Sequence, residues 1–94
     1  MTNNEFLFNL ENMYADHAAI GKRETHTVNE LVYVLRMTHE DYQLNVVNGN
    51  SFMCIPSVEE CFIPWKTLSK DIVSVEFDEE TYEECGIKLV IVYV

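Results

Sequence analysis

Hydrophobic residues near the N-terminus recur every three or four positions, which is the spacing of one face of an α-helix. Thr2 and Glu5 have the spacing of a capping box, in which a hydroxyl and a carboxylate bond the free amides at a helix start. Gly21 suits the left-handed residue that ends many helices. The pattern predicts a helix over residues 3–20. Its apolar face would be Phe6, Leu10, Met13, Tyr14, His17 and Ile20.

The hydrophobic period changes to two beyond residue 30, which is typical of strands. Residues 31–38 are rich in β-branched and aromatic side chains, so a strand is the favoured interpretation of this segment. A helix over residues 28–37 is the alternative, because the same apolar residues also fit a helical stripe. That stripe would be Val28, Leu31, Val32 and Leu35.

Asn48-Gly49 is the strongest hairpin signal in the chain, because both residue types tolerate a positive φ. It predicts a turn between strands at 42–47 and 51–55. Further strands are predicted at 61–65, 71–77 and 87–94, the first of them at an edge because Pro64 has no amide to donate. The last is apolar on both faces apart from Lys88, which is typical of a central strand covered on both sides.

Together these elements predict one α+β domain over residues 1–94. An N-terminal helix would pack on a mostly antiparallel, curled sheet of five to six strands. One helix covers only one face of such a sheet. We therefore expect either that the sheet curls into a partial barrel or that a second copy covers the other face, as a homodimer.

Charge adds the most informative local feature. Residues 76–84, called the acidic run below, hold six carboxylates in nine positions and no basic residue. The run lies between two predicted strands, so a folded domain concentrates this charge in one place. It predicts a surface that attracts a basic partner, with aromatic residues as apolar anchors. The candidate partner-binding residues are Glu76, Phe77, Asp78, Glu79, Glu80, Tyr82, Glu83, Glu84 and Trp65.

Several kinds of chemistry are disfavoured. Sixteen acidic and six basic residues give a net charge of −10, which opposes direct binding to nucleic acid or to anionic membranes. The histidines and cysteines show none of the short spacings of metal ligands, and no Gly-rich phosphate loop or nucleophile–base pattern is present. We therefore expect no metal, no cofactor and no enzymatic activity.

The three cysteines, Cys54, Cys61 and Cys85, are an odd number for a disulfide scaffold, and their apolar flanks favour reduced, structural thiols, with Cys54 and Cys61 buried beside strand positions. Acidic residues at 5, 11 and 16 interrupt any apolar stretch that a signal peptide would need. These features favour a cytoplasmic location, or the host cytoplasm if the chain is encoded by a virus.

A small acidic chain without catalytic motifs has the profile of an inhibitor that occludes a basic, nucleic-acid-handling protein. Phage anti-defence DNA mimics and toxin-immunity proteins share this profile, but no motif here matches a particular family. The acidic run also fits a solubilising loop. Two other functions remain open: sequestration of a small ligand by the sheet, and structural assembly through the apolar C-terminal strand.

Overall fold

The computed structural model describes all residues from Met1 to Val94 and contains five helices and four strands. The helices are α1 (Asn3–Ala15), α2 (Ala18–Gly21), α3 (Val28–Met37), α4 (Trp65–Leu68) and α5 (Glu79–Cys85). The strands are β1 (Gln43–Asn48), β2 (Ser51–Ile55), β3 (Ser74–Phe77) and β4 (Leu89–Tyr93). The α+β class predicted from the sequence is confirmed.

The strands form one open sheet in the order β2-β1-β4-β3. β1 pairs antiparallel with β2 through the predicted Asn48-Gly49 turn, and Gly49 has a φ of 60°. β4 lies in the centre, antiparallel to β3 but parallel to β1. The central position of the last strand is as predicted. The prediction of five to six strands in a curled, mostly antiparallel sheet is wrong in detail, because the sheet is four-stranded, mixed and not closed.

The segment 31–38, predicted as a strand, forms most of helix α3 and its C-cap Thr38, so the alternative interpretation is correct there. Thr27 caps this helix, and a full capping box joins its hydroxyl and backbone to Glu30. The helical stripe is completely buried, and Val34 is buried beside it. Burial of one continuous face outweighs the strand preference of the Val-Tyr-Val sequence.

The predicted N-terminal helix is broken near Asp16. Thr2 caps α1 as expected, accepting a hydrogen bond from the backbone N–H of Glu5. Gly21, however, does not adopt a left-handed conformation. It ends α2, which folds back so closely on α1 that a Cβ at Gly21 would lie 3.1 Å from both the Ala15 Cα and the Tyr14 carbonyl oxygen. A tight approach of two backbones, rather than a left-handed cap, explains this glycine.

The strand predicted at 61–65 is absent. Residues 61–64 form an irregular segment, and Pro64, with a φ of −58°, precedes the single helical turn α4. Proline is compatible with this position because the first amides of a helix have no partner within it. The loss of this strand and of the one at 31–38 accounts for the smaller sheet.

The hydrophobic core lies between the helices and one face of the sheet. Helices α1 and α3 contribute Phe6, Leu10, Tyr14, Val28, Leu31, Val32, Val34 and Leu35. The strands contribute Leu44, Val46, Ile55, Phe77, Val90 and Val92.

The opposite face of the sheet, called the outer face below, is only partly covered. On β4 it presents Leu89, which is buried, Ile91, which is half-buried, and Tyr93, which is 36% exposed. Asn45 and Glu76 flank Ile91 on the neighbouring strands, so the face mixes apolar and polar side chains. Complete coverage of both faces was therefore a wrong expectation. The homodimer remains a prediction of the sequence.

None of the helices combines the length and the apolar character that crossing a lipid bilayer requires.

The pKa values of two core tyrosines are raised well above their usual value. Burial raises the pKa of Tyr42 to about 12, and the Glu40 carboxylate adds to the effect by repelling a phenolate. Burial also raises the pKa of Tyr14 well above its usual range, with Glu11 and Glu30 contributing in the same direction. In both residues the folded protein favours the neutral phenol.

We expect the fold to lose stability on the alkaline side. Because the Tyr42 pKa is higher in the folded than in the unfolded state, its contribution is complete below about pH 10 and is lost as the pH rises towards about 12. Melting temperatures measured across this interval should fall, and less steeply in Tyr42→Phe. Tyr33→Phe, at a position 46% exposed, is the control and should follow the wild type. If the melting temperatures of all three proteins fell equally steeply with pH, the loss of stability would not come from Tyr42.

Candidate partner-binding surface

The acidic run forms the end of β3 and the whole of α5 except its last residue. The Asp78 carboxylate caps α5 by accepting from the backbone N–H of Thr81 at 3.0 Å. Gly86 ends the helix in a left-handed conformation with a φ of 70°. Clear start and stop signals therefore hold most of the acidic residues on one short helix.

The charge arrangement within α5 is unfavourable. Glu79 and Glu83 are four residues apart, as are Glu80 and Glu84, and like charges at this spacing destabilise a helix by about 0.2–0.5 kcal/mol per pair. Glu83 and Glu84 also lie in the last turn, where the helix dipole favours cations and where no basic residue is present. The helix forms in spite of its charges.

Three of the six carboxylates have local partners. Besides Asp78, the Glu76 carboxylate accepts from the Tyr93 hydroxyl at 3.3 Å, and Glu79 accepts from the backbone N–H of Asn3. The remaining three, Glu80, Glu83 and Glu84, form no hydrogen bond. The two ion pairs of the protein, Arg23–Glu30 and Lys88–Glu40, lie elsewhere.

Asn3 is a supporting residue that the sequence did not reveal. Its side-chain oxygen accepts from the backbone N–H of Phe77 at 2.7 Å, and its backbone bonds Glu79. The start of α1 is thereby tied to the free edge of β3 and to the start of α5. Partners more than 70 positions apart leave no local sequence signal.

A shallow groove of about 460 Å³ opens at this junction. Four carboxylate-bearing residues line it, together with Asn3 and Phe77. They are Glu76, Asp78, Glu79 and Glu80. Its concave, acidic shape can receive a cationic side chain.

The predicted aromatic anchors do not all reach this surface. Phe77 is 1% exposed and stacks on Phe6, with the ring centroids 5.2 Å apart, so it belongs to the core. Tyr82 is half-buried and packs beside Phe77 at 5.7 Å, which attaches α5 to the sheet. Alternation along β3 explains the burial of Phe77, because Val75 and Phe77 point to the core side.

Trp65 is 69% exposed, as a binding residue would be, but it does not join the acidic run. It begins α4, where Thr67 contacts Met53 of the edge strand β2. The acidic run begins at the end of β3, at the other edge of the sheet. The structure therefore brings Glu76, Asp78, Glu79 and Glu80 together and leaves Trp65 apart.

The cysteines differ from their predicted placement. Cys54 and Cys85 are exposed, and only Cys61 is half-buried. Cys54 lies on the outer face, where its sulfur accepts from the Gln43 amide at 3.4 Å. The expectation that Cys54 is buried is therefore wrong. No group of three or more His, Cys, Asp or Glu side chains is arranged to hold a metal ion.

Comparison with known proteins finds no matching family model, no significantly similar curated protein and no significantly similar solved structure. The functional interpretation therefore depends on the geometry and charge of this surface.

Proposed function

We propose that the protein is a non-enzymatic inhibitor that occludes the basic surface of a nucleic-acid-handling protein. The observation that carries this proposal is a set of three glutamates, Glu80, Glu83 and Glu84, whose carboxylates have no partner. They lie on α5, which like-charge repulsion destabilises. A cationic partner would relieve the repulsion within α5, so binding energy would come from charges that the free protein leaves uncompensated.

The groove beside α5 supports a specific form of contact. An Arg or Lys of the partner that enters between Glu76 and Glu80 would meet carboxylates that the fold already holds in place, because Asn3 fixes Glu79 and Asp78 caps the helix. Preorganised acceptors lower the entropy cost of association. In this proposal the carboxylates occupy positions that phosphates take in the partner's nucleic-acid site, and association is strongest at low salt.

The proposal predicts opposite effects of neutralising α5 on stability and on binding. In Glu80→Gln/Glu83→Gln/Glu84→Gln, loss of the two like-charge pairs should raise the melting temperature, by about 2–8 °C. The same variant should no longer retain the basic partner that immobilised wild-type protein captures from its native host, and duplex DNA should displace that partner from the wild type. Thermal melts and a pull-down across a salt series measure the two effects.

A control with the same change in net charge separates a binding site from general acidity. Glu24, Glu59 and Glu60 are exposed carboxylates outside α5, and their side chains form no ion pair. Glu24→Gln/Glu59→Gln/Glu60→Gln should retain the partner with a nearly unchanged salt dependence. Equal loss of capture by both triple variants would leave α5 as a solubilising surface and contradict the proposal.

A further inference from the structure

A second concave region lies at the opposite edge of the sheet, between the β1–β2 hairpin and α4. This region, called the hairpin cleft below, has a volume of about 230 Å³. Val46 and Met53 form its apolar wall on the core side of the hairpin, and Lys66, Thr67 and Lys70 line it from the α4 side. Met53 is 37% exposed although it is a large apolar residue, so the cleft leaves apolar surface open to solvent.

The charge of the hairpin cleft is opposite to that of the rest of the protein. It is lined by two of the six basic residues, Lys66 and Lys70, and by none of the sixteen acidic ones. Each of the four other clefts has at least one Asp or Glu in its lining. Neither lysine takes part in an ion pair. Two lysines without an ion pair, in a chain of net charge −10, therefore line one apolar cleft.

Thr67 adds an observation independent of charge. It is 7% exposed, yet its hydroxyl donates only to the Met53 sulfur at 3.8 Å, and a thioether is a weak acceptor. Buried hydroxyl groups ordinarily have a stronger partner. The Thr67 hydroxyl is thus available to an oxygen ligand in the cleft that the two lysines line.

We propose that the hairpin cleft binds a small amphipathic anion, a carboxylate with a compact apolar tail. The tail contacts Val46 and Met53, while the carboxylate is held by Lys66 and Lys70 and accepts from Thr67. A cleft of this volume is below the roughly 300 Å³ at which pockets for drug-sized ligands begin, so the ligand is small. This site is separate from the acidic run and does not depend on the proposed inhibitory function.

Titration with sodium octanoate, followed by amide chemical shifts in the intact protein, tests the assignment. We expect saturable shifts confined to residues 46–53 and 65–70, with an affinity that decreases as salt is added. Lys66→Gln/Lys70→Gln should weaken octanoate binding on the order of tenfold. Lys22→Gln/Arg23→Gln removes the same charge outside the cleft and should bind as the wild type does.

Three related probes distinguish the parts of the ligand. Octanol and octylamine keep the tail but lack the anion, and acetate keeps the anion but lacks the tail, so all three should bind more weakly than octanoate. Octanol binding as tightly as octanoate would overturn the role of the lysines. Shifts that are absent, or that spread over the outer face, would overturn the site itself. Loss of partner capture in Lys66→Gln/Lys70→Gln would show that the cleft is not separate from the inhibitory surface.

Discussion

A chain that lacks residues 90–94 is expected to lose cooperative unfolding. β4 lies between β1 and β3 and bonds both, so its removal leaves two strands without their shared partner. Val90 and Val92 are fully buried in the core, and their loss would open the sheet beneath α1 and α3. In a domain with a total stability of about 5–15 kcal/mol, such a loss exceeds what the remaining contacts can compensate. A thermal melt followed by circular dichroism measures it directly.

Two point variants show whether the cause is the core face of β4. Val92→Asn places an amide in the core without a partner and should be severely destabilising. Ile91→Asn changes the adjacent residue, which is half-buried on the outer face, and should be tolerated much better. If the shortened chain melted cooperatively near the temperature of the full-length protein, β4 would be peripheral and the sheet order would be wrong.

The sequence predicted best where a local signal and the core pattern agreed. The Thr2 hydroxyl accepts a hydrogen bond from a free amide at the start of α1, and Gly49 adopts the positive φ that the hairpin turn requires. The uninterrupted apolar character of β4 likewise required a central position. The expectation that its second face is also covered was wrong, because exposure there depends on what the neighbouring strands place beside Ile91.

Errors arose where local preference and tertiary burial disagreed. The β-branched residues around Tyr33 favour a strand in isolation, yet they form α3 because one helical face can be buried entirely against the core. Residues 61–64 have strand-like composition, but they pair with no strand of the sheet. Such choices depend on partners that are distant in sequence.

The sequence predicted that the candidate surface concentrates charge, but not which of its carboxylates are bonded within the protein and which are free. Counting residues finds the acidic run, whereas only the fold shows that Asp78 and Glu79 have structural bonds and that Glu80 has none. Lys66 and Lys70 were overlooked for a related reason. Two isolated lysines form no pattern along the chain, and their significance comes from the carboxylate-free cleft that they share.

Replacing Phe77 with Ala is expected to destabilise the fold by about 3–5 kcal/mol, the range for removing a phenyl group from a packed core. Phe77 is 1% exposed, and its ring packs between Phe6 and Tyr82 at centroid distances of 5.2 and 5.7 Å. The cavity would therefore separate α1 from β3 and loosen the attachment of α5. Equilibrium unfolding in urea measures the change, provided that the slope with denaturant stays constant.

Phe62→Ala is the matched control, because it removes the same group from a position that is 88% exposed. Its effect on stability should lie within about 0.5 kcal/mol, as for most surface substitutions. The comparison also decides between the two roles considered for Phe77. If Phe77 is a core residue, Phe77→Ala lowers the stability of the protein, and the folded fraction of the variant still binds the partner. An exposed anchor would show the reverse, with unchanged stability and weakened capture, and α5 would then have to lift from the sheet to expose Phe77 in the bound protein.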